Sequence, residues 1–210
     1  MADVKLTKNE LRIQQIRLGQ LLKYLPTLQL KKAMLQVEVN DARIEIERLE
    51  VEYAQKRTES EEWVALLSQR TSVDPRGATK VQRVRRRYEN IAGVDVPYFE
   101  GVDFEAMHYS LFETPPWVDG VVSGLRRLAE RRAEIEVVGE KKTALERELR
   151  EVSIRVNLFE KILIPRARGN IKKIKVFLGD QELAAVSQAK VAKGKIIARK
   201  AEKMGALNAN

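Results

Sequence analysis

The chain contains no cysteine. That excludes disulfides, thiolate metal ligands and thiol nucleophiles, and it is consistent with a reducing compartment. It has one histidine, His108, and a zinc site needs several Cys or His ligands, so none is expected. His108 reads as a surface or internally satisfied side chain. Aromatic residues are only 6% of the 210 residues, a profile of long helices rather than of a sheet protein. No apolar run approaches the ~18 residues that cross a bilayer. The opening Met1-Ala2-Asp3 is not a basic-then-apolar leader. The expected location is cytoplasmic, with membrane attachment only through partners. There is no GxxxxGKS/T loop, so direct nucleotide binding is not expected. The carboxylates are abundant but scattered over helix faces, where they read as solvated salt-bridge partners rather than a catalytic pair. The chain therefore reads as non-catalytic, with no cofactor.

What is present is charge, at 33% of residues, and apolar periodicity. One seam runs through Leu11, Leu18, Leu21, Leu25, Leu28, Leu35, Val39, Ala42, Ile46, Leu49, Tyr53, Trp63 and Leu67, interrupted by Gln14, Lys32, Lys56 and Ser60. A second runs through Leu128, Ile135, Val138, Leu145, Leu149, Val152, Val156, Phe159 and Leu163, interrupted by Lys142. Alternating three- and four-residue spacing holds an apolar stripe against one partner and specifies a left-handed coiled coil. At ~1.5 Å per residue, a helix over residues 7–70 would reach roughly 95 Å, which predicts a rod.

The expected fold is all-α: a long antiparallel two-helix coiled coil with a small irregular or β-hairpin-containing central segment. Residues 1–70 form the N-terminal coiled-coil helix, opened by a capping box at Thr7 and Glu10. Pro26 should kink or locally break it. Residues 71–117 form a central knob. They hold four of the six prolines and seven of the twelve aromatics, and the spacing over residues 81–96 suggests one or two short strands. Residues 118–210 form the C-terminal coiled-coil helix and a basic tail. Thr114-Pro115 reads as its N-cap and first position. Pro165 should bend it, and Ala167, Ile171, Ile174, Leu178 and Ala185 resume a stripe beyond.

The net charge of +9 is uneven. Residues 165–203 hold eleven Lys or Arg against Asp180, Glu182 and Glu202, and residues 80–87 add Lys80, Arg83, Arg85, Arg86 and Arg87. Either cluster could meet nucleic-acid phosphates. A solvated face or a protein contact explains them as well, because Phe177 is the only aromatic near the C-terminal cluster. Tyr88, Tyr98 and Phe99 read as packing of the knob.

Several stretches resemble a known family. They are RVNLFEKILIP at residues 155–165, IKKIKVFL at 171–178, NIAGVDVP at 90–97, and LTKNEL at 6–11 followed by LLK at 21–23. In this order they resemble the D subunit of V-type and archaeal-type rotary ATPases, over nearly the whole chain. RVNLFEKILIP is the most specific. One departure is Tyr24-Leu25-Pro26, where that family continues with a basic helix-forming run. The resemblance implies a non-catalytic central-stalk rotor subunit that transmits torque between ATP turnover and ion translocation. It implies, as partners, the catalytic and non-catalytic ring subunits A and B, the small F subunit of the stalk beside the middle of the chain, and a membrane-ring docking subunit of the C/d type. In a hairpin the C-terminal end would enter the ring, with Lys190, Lys193, Lys195, Arg199 and Lys200 as candidate ring contacts. No nucleic acid is expected on this reading. An elongated coiled-coil scaffold and a basic nucleic-acid-binding coiled coil remain the alternatives.

Overall fold

A computed structural model of the protein describes residues 4–61, 77, 79–106 and 114–207, with side chains described to residue 200. Trp63, Leu67, Pro75, His108, Tyr109 and Phe112 lie outside the described residues. The elements follow in the order α1 (Lys8–Glu61), β1 (Val81–Ile91), β2 (Val94–Phe104), α2 (Trp117–Leu158) and α3 (Ile164–Leu207). A five-residue π-helical turn, Phe159–Leu163, separates α2 from α3. The architecture is a long antiparallel helix pair with one small antiparallel hairpin. It divides into two compact units, Gln29–Ile154 and Met1–Leu28 with Arg155–Asn210.

In the unit Gln29–Ile154 the apolar seam is the core. Leu35, Ala42 and Leu49 of α1 are fully buried, as are Leu145 and, nearly so, Val138 and Val152 of α2. Ala42, Leu49 and Val138 form one cluster, closed by Ile46 and Ile135. Each large aliphatic side chain withdrawn from water contributes ~1.5–3 kcal/mol. Ion pairs beside the seam show the antiparallel register: Lys31–Glu148 at 2.6 Å, Glu45–Lys141 at 3.7 Å and Glu52–Arg131 at 3.5 Å. Numbers rise along α1 as they fall along α2.

The strands are longer than the sequence suggests, at 11 residues each. Ala92 and Gly93 make the two-residue turn, both with positive φ (50° and 84°), as the twist of a tight hairpin requires. Asn90 organises it. Its side-chain oxygen accepts from the Gly93 N–H at 3.0 Å, and its amide donates to Asp95 at 2.7 Å. Gly101 on β2 sits at φ 152°, and a Cβ there would lie 2.7 Å from the Arg85 guanidinium. Only glycine fits.

In the other unit, Thr7 caps α1 as expected. Its hydroxyl accepts from the Glu10 N–H at 3.2 Å. The Glu10 carboxylate turns forward and accepts from Gln14 at 2.8 Å. That bond satisfies Gln14, which is buried in the seam with Leu21. Facing them, Val156, Ile164, Ala167 and Ile174 are buried. Lys8 pairs with Glu182 at 3.5 Å.

Both prolines expected to disturb the helices lie inside them. Pro26 does not break α1, which runs through it. The ring is exposed, so water reaches the carbonyl it leaves unpaired, and the Thr27 hydroxyl donates to the Tyr24 carbonyl at 2.7 Å. Ahead of Pro165 the helix widens into the π-turn, with the Ile164 N–H bonded to the Phe159 carbonyl five residues back. A proline ring clashes with a carbonyl four residues earlier, and a π-turn displaces that carbonyl. α2 starts at Trp117 rather than at Pro115. Thr114 is buried, and Val118 N–H bonds to the Pro115 carbonyl at 3.0 Å.

Candidate functional site

The candidate surfaces lie on the helices, and the hairpin is fastened to them. In the basic run over residues 80–87, all but the exposed Arg83 meet carboxylates. Arg86 makes a two-pronged contact with Glu140 at 2.7 and 3.2 Å. Arg85 lies 3.5 Å from Asp103, Arg87 pairs with Glu89, and Lys80 lies 3.9 Å from Glu105. These cations meet carboxylates already, which leaves little net positive field for a phosphate backbone.

Next to Glu140, Lys141 of α2 is buried. Its ammonium lies 4.3 Å from the centre of the Tyr98 ring and 3.7 Å from Glu45. One cation therefore joins β2, α2 and α1. Arg126 reaches the far end of the hairpin, 5.4 Å over Phe104. Tyr98 thus packs the hairpin against α2, as expected, and Phe104 does so as well. Tyr88 is 63% exposed and does not.

Arg131 is a second junction. It lies 3.5 Å from Glu52 of α1 and 2.6 Å from Glu134 on its own helix. The Glu134 hydrogen bond, then the nearby carboxylate charges, raise its pKa further against the opposing cost of burial. The guanidinium is charged at every accessible pH.

The candidate ring contacts lie on α3, where residues 181–200 are all exposed. At ~100° per residue, Lys190, Lys193 and Lys200 fall on one side of the helix, and Lys195 and Arg199 on the opposite side. They form two opposite faces of the helix rather than one stripe. Leu183, Val186, Val191, Ile196 and Ile197 are exposed among them. Ala184, Ala185 and Ala192 are exposed too. Earlier on α3, Arg166, Arg168, Lys172, Lys173 and Lys175 are exposed.

Sequence reasoning does not single out the junction residues Lys141 and Arg131. Lys141 sits one place from the seam position Lys142 and carries no signal of its own. The three-residue spacing of Arg131 and Glu134 is legible, but not the reach across to Glu52. Among the described residues no group of His, Cys, Asp or Glu could hold a metal ion, and no helix is long and apolar enough to cross a membrane.

The family described as ATP synthase, D subunit, matches residues 10–194. The V-type ATP synthase D subunit of Chlamydia abortus is 44% identical over 202 residues, covering 96% of this chain and 97% of the relative. That of Chlamydia pneumoniae is 43% identical over 200 residues, covering 95% and 96%. That of Borreliella burgdorferi is 37% identical over 197 residues, covering 94% and 96%.

Proposed function

Because the chain belongs to the family of ATP synthase D subunits, we propose that it is the non-catalytic central-stalk shaft of a V-type or archaeal-type rotary ATPase. It transmits torque between ATP hydrolysis or synthesis in the catalytic ring and ion translocation in the membrane ring. Its partners are the ring subunits A and B, the F subunit of the stalk and a membrane-ring docking subunit of the C/d type. It is cytoplasmic and reaches the membrane only through the complex. The observation that carries the reading is the match to D-subunit relatives over more than nine-tenths of the chain.

The physical features suit that role. Two helices locked by a buried seam resist twisting better than either alone. Helical hydrogen bonding continues past Pro26 and past the π-turn. At the C-terminal end a helix with Lys and Arg on two opposite faces can be enclosed by a ring without preferring one wall, because screened surface ion pairs are worth only ~0–1 kcal/mol each and exchange readily. Lys190, Lys193, Lys195, Arg199 and Lys200 are the residues assigned to that bearing.

The test is mass spectrometry of the native complex purified through this chain. Nucleotide-binding ring subunits should accompany it. Unrelated partners would favour a scaffold, and DNA or RNA retained in a salt-dependent manner would favour a nucleic-acid binder. Purified alone, the chain should bind neither ATP nor ADP in a calorimetric titration. Micromolar nucleotide binding would contradict a purely mechanical role.

A further inference from the structure

We infer that the cavity between the start of α1 and the start of α3 is a binding site for a phosphate dianion, either free or as a monoester. The inference goes beyond the mechanical role and does not depend on it.

The cavity lies wholly within the unit of Met1–Leu28 with Arg155–Asn210 and measures about 390 Å³. Its walls are two helix faces. On α1, Glu10, Gln14 and Arg17 follow one another at four and three residues. On α3, Arg166 and Asn170 stand four apart, just past the π-turn. Such spacing keeps each set on one side of its helix. Lys5 enters from the segment before α1.

Three cations, Lys5, Arg17 and Arg166, line this space with a single carboxylate, Glu10, which leaves a net +2. Glu10 is not their partner. Its side chain accepts from the buried Gln14 at 2.8 Å, and none of the three cations forms an ion pair among the described residues. Elsewhere, cations that reach another element are met by carboxylates, as Lys31 is by Glu148, Arg86 by Glu140 and Arg131 by Glu52. Here two helices and a flanking segment bring like charges to one concave surface and leave them unbalanced. Like charges repel, so the arrangement opposes folding until an anion fills it. The N-terminus of α1 is not what makes the site, since Thr7 already caps its Glu10 N–H.

Charge and donors select phosphate. A phosphate monoester carries about −1.5 to −2 at neutral pH, which matches the lining, whereas one carboxylate leaves half of it unbalanced. The planar guanidinium forks of Arg17 and Arg166 suit pairs of phosphate oxygens, and Lys5 adds a point charge. The Asn170 amide supplies a neutral donor. The volume falls at the lower end of the range for small-molecule sites. Val4 and Leu163 also line it, and give a carbon skeleton on the phosphoryl group an apolar neighbour. All three cations are exposed, so the ion enters directly from solvent and the screened contacts hold it with a Kd of ~1 mM. That is far weaker than the micromolar binding of a nucleotide site. Once bound, the phosphate ties the segment before α1, α1 itself and α3 together.

The experiment treats the full chain with phenylglyoxal, which modifies exposed arginines, and reads each arginine by peptide mass spectrometry. With about 10 mM orthophosphate at constant ionic strength, modification of Arg17 and Arg166 should slow roughly fivefold or more. Arg12 and Arg168, exposed on the same two helices, should react at an unchanged rate. Arg17→Gln with Arg166→Gln should abolish the rise in melting temperature that orthophosphate gives the unaltered chain. In chloride it should not lower the melt, because it removes a repulsion. Arg168→Gln should keep the rise. Phenyl phosphate separates the two sources. Protection at a lower concentration than orthophosphate assigns the site to a phosphorylated organic molecule, and protection only at a higher one assigns it to the free ion. Equal protection at all of these arginines would show screening alone and overturn the site. So would no protection by either probe, or a phosphate-dependent rise that survives Arg17→Gln with Arg166→Gln, since phosphate also stabilises folded proteins by exclusion from their surface.

Discussion

Leu145 and Leu49 are fully buried in the seam, and each is irreplaceable by a polar side chain. Leu145→Asp removes apolar burial worth roughly 2–5 kcal/mol and adds the desolvation of a carboxylate. Its thermal melt by circular dichroism should fall sharply, while Gln36→Ala on the exposed surface of α1 should leave the melt in place. Equal melts would show that the seam is not where the stability lies. Lys141 allows a finer test. A double-mutant cycle between Lys141→Met and Tyr98→Leu isolates the contact of ammonium and ring, expected at ~0.5–2 kcal/mol for a largely desolvated pair. A coupling near zero would mean that Lys141 is held by Glu45 alone. Arg131 contributes no pH dependence below the alkaline range. Its pKa is raised in the folded state, so its stabilisation is fully present below the unfolded value and is lost only as pH climbs through the folded one.

At the scale of elements, the helices are legible in the sequence because burial has a period. Every buried apolar residue of α1, from Leu21 through Leu35, Ala42 and Leu49, falls on the seam read from spacing. Even the interruptions Gln14 and Ser60 are buried in register, each with a local acceptor: Glu10 for the Gln14 amide and the Lys56 carbonyl for the Ser60 hydroxyl. The hairpin is half legible. Its turn, Ala92-Gly93, lacks the usual Asn-Gly pair, and the Asn that stabilises it stands two residues earlier at Asn90. The break expected at Pro26 does not occur, since a lost hydrogen bond matters less where the ring is exposed, and before Pro165 a π-turn displaces the clashing carbonyl. Long-range partners such as Arg86 with Glu140, 54 residues apart, leave no periodic trace. Deleting residues 81–105 should preserve the helical circular dichroism signal, since the seam lies on α1 and α2, yet change ATP turnover or companion-subunit affinity in the assembled complex. If both are unaltered, the hairpin is only a cover for Lys141.

At the scale of the whole molecule, apolar burial and charge are segregated. The buried residues end at Ile174, and residues 181–200 are exposed throughout. The candidate bearing is legible in the sequence as a run of Lys and Arg; its division between two opposite faces emerges only from the helix itself. Truncation after Gln188 should leave the melt of the isolated chain unchanged. In reconstituted vesicles the truncated complex should pump fewer ions per ATP hydrolysed than the intact one. An unchanged ratio would mean that the tail only adds solubility. The most direct test of the shaft itself is single-molecule observation of a probe attached to this chain, with the catalytic ring fixed to a surface and ATP supplied. The probe should turn continuously in one direction while ATP lasts and stop when it is exhausted. A probe that stays fixed while the ring hydrolyses ATP at its full rate would contradict the account.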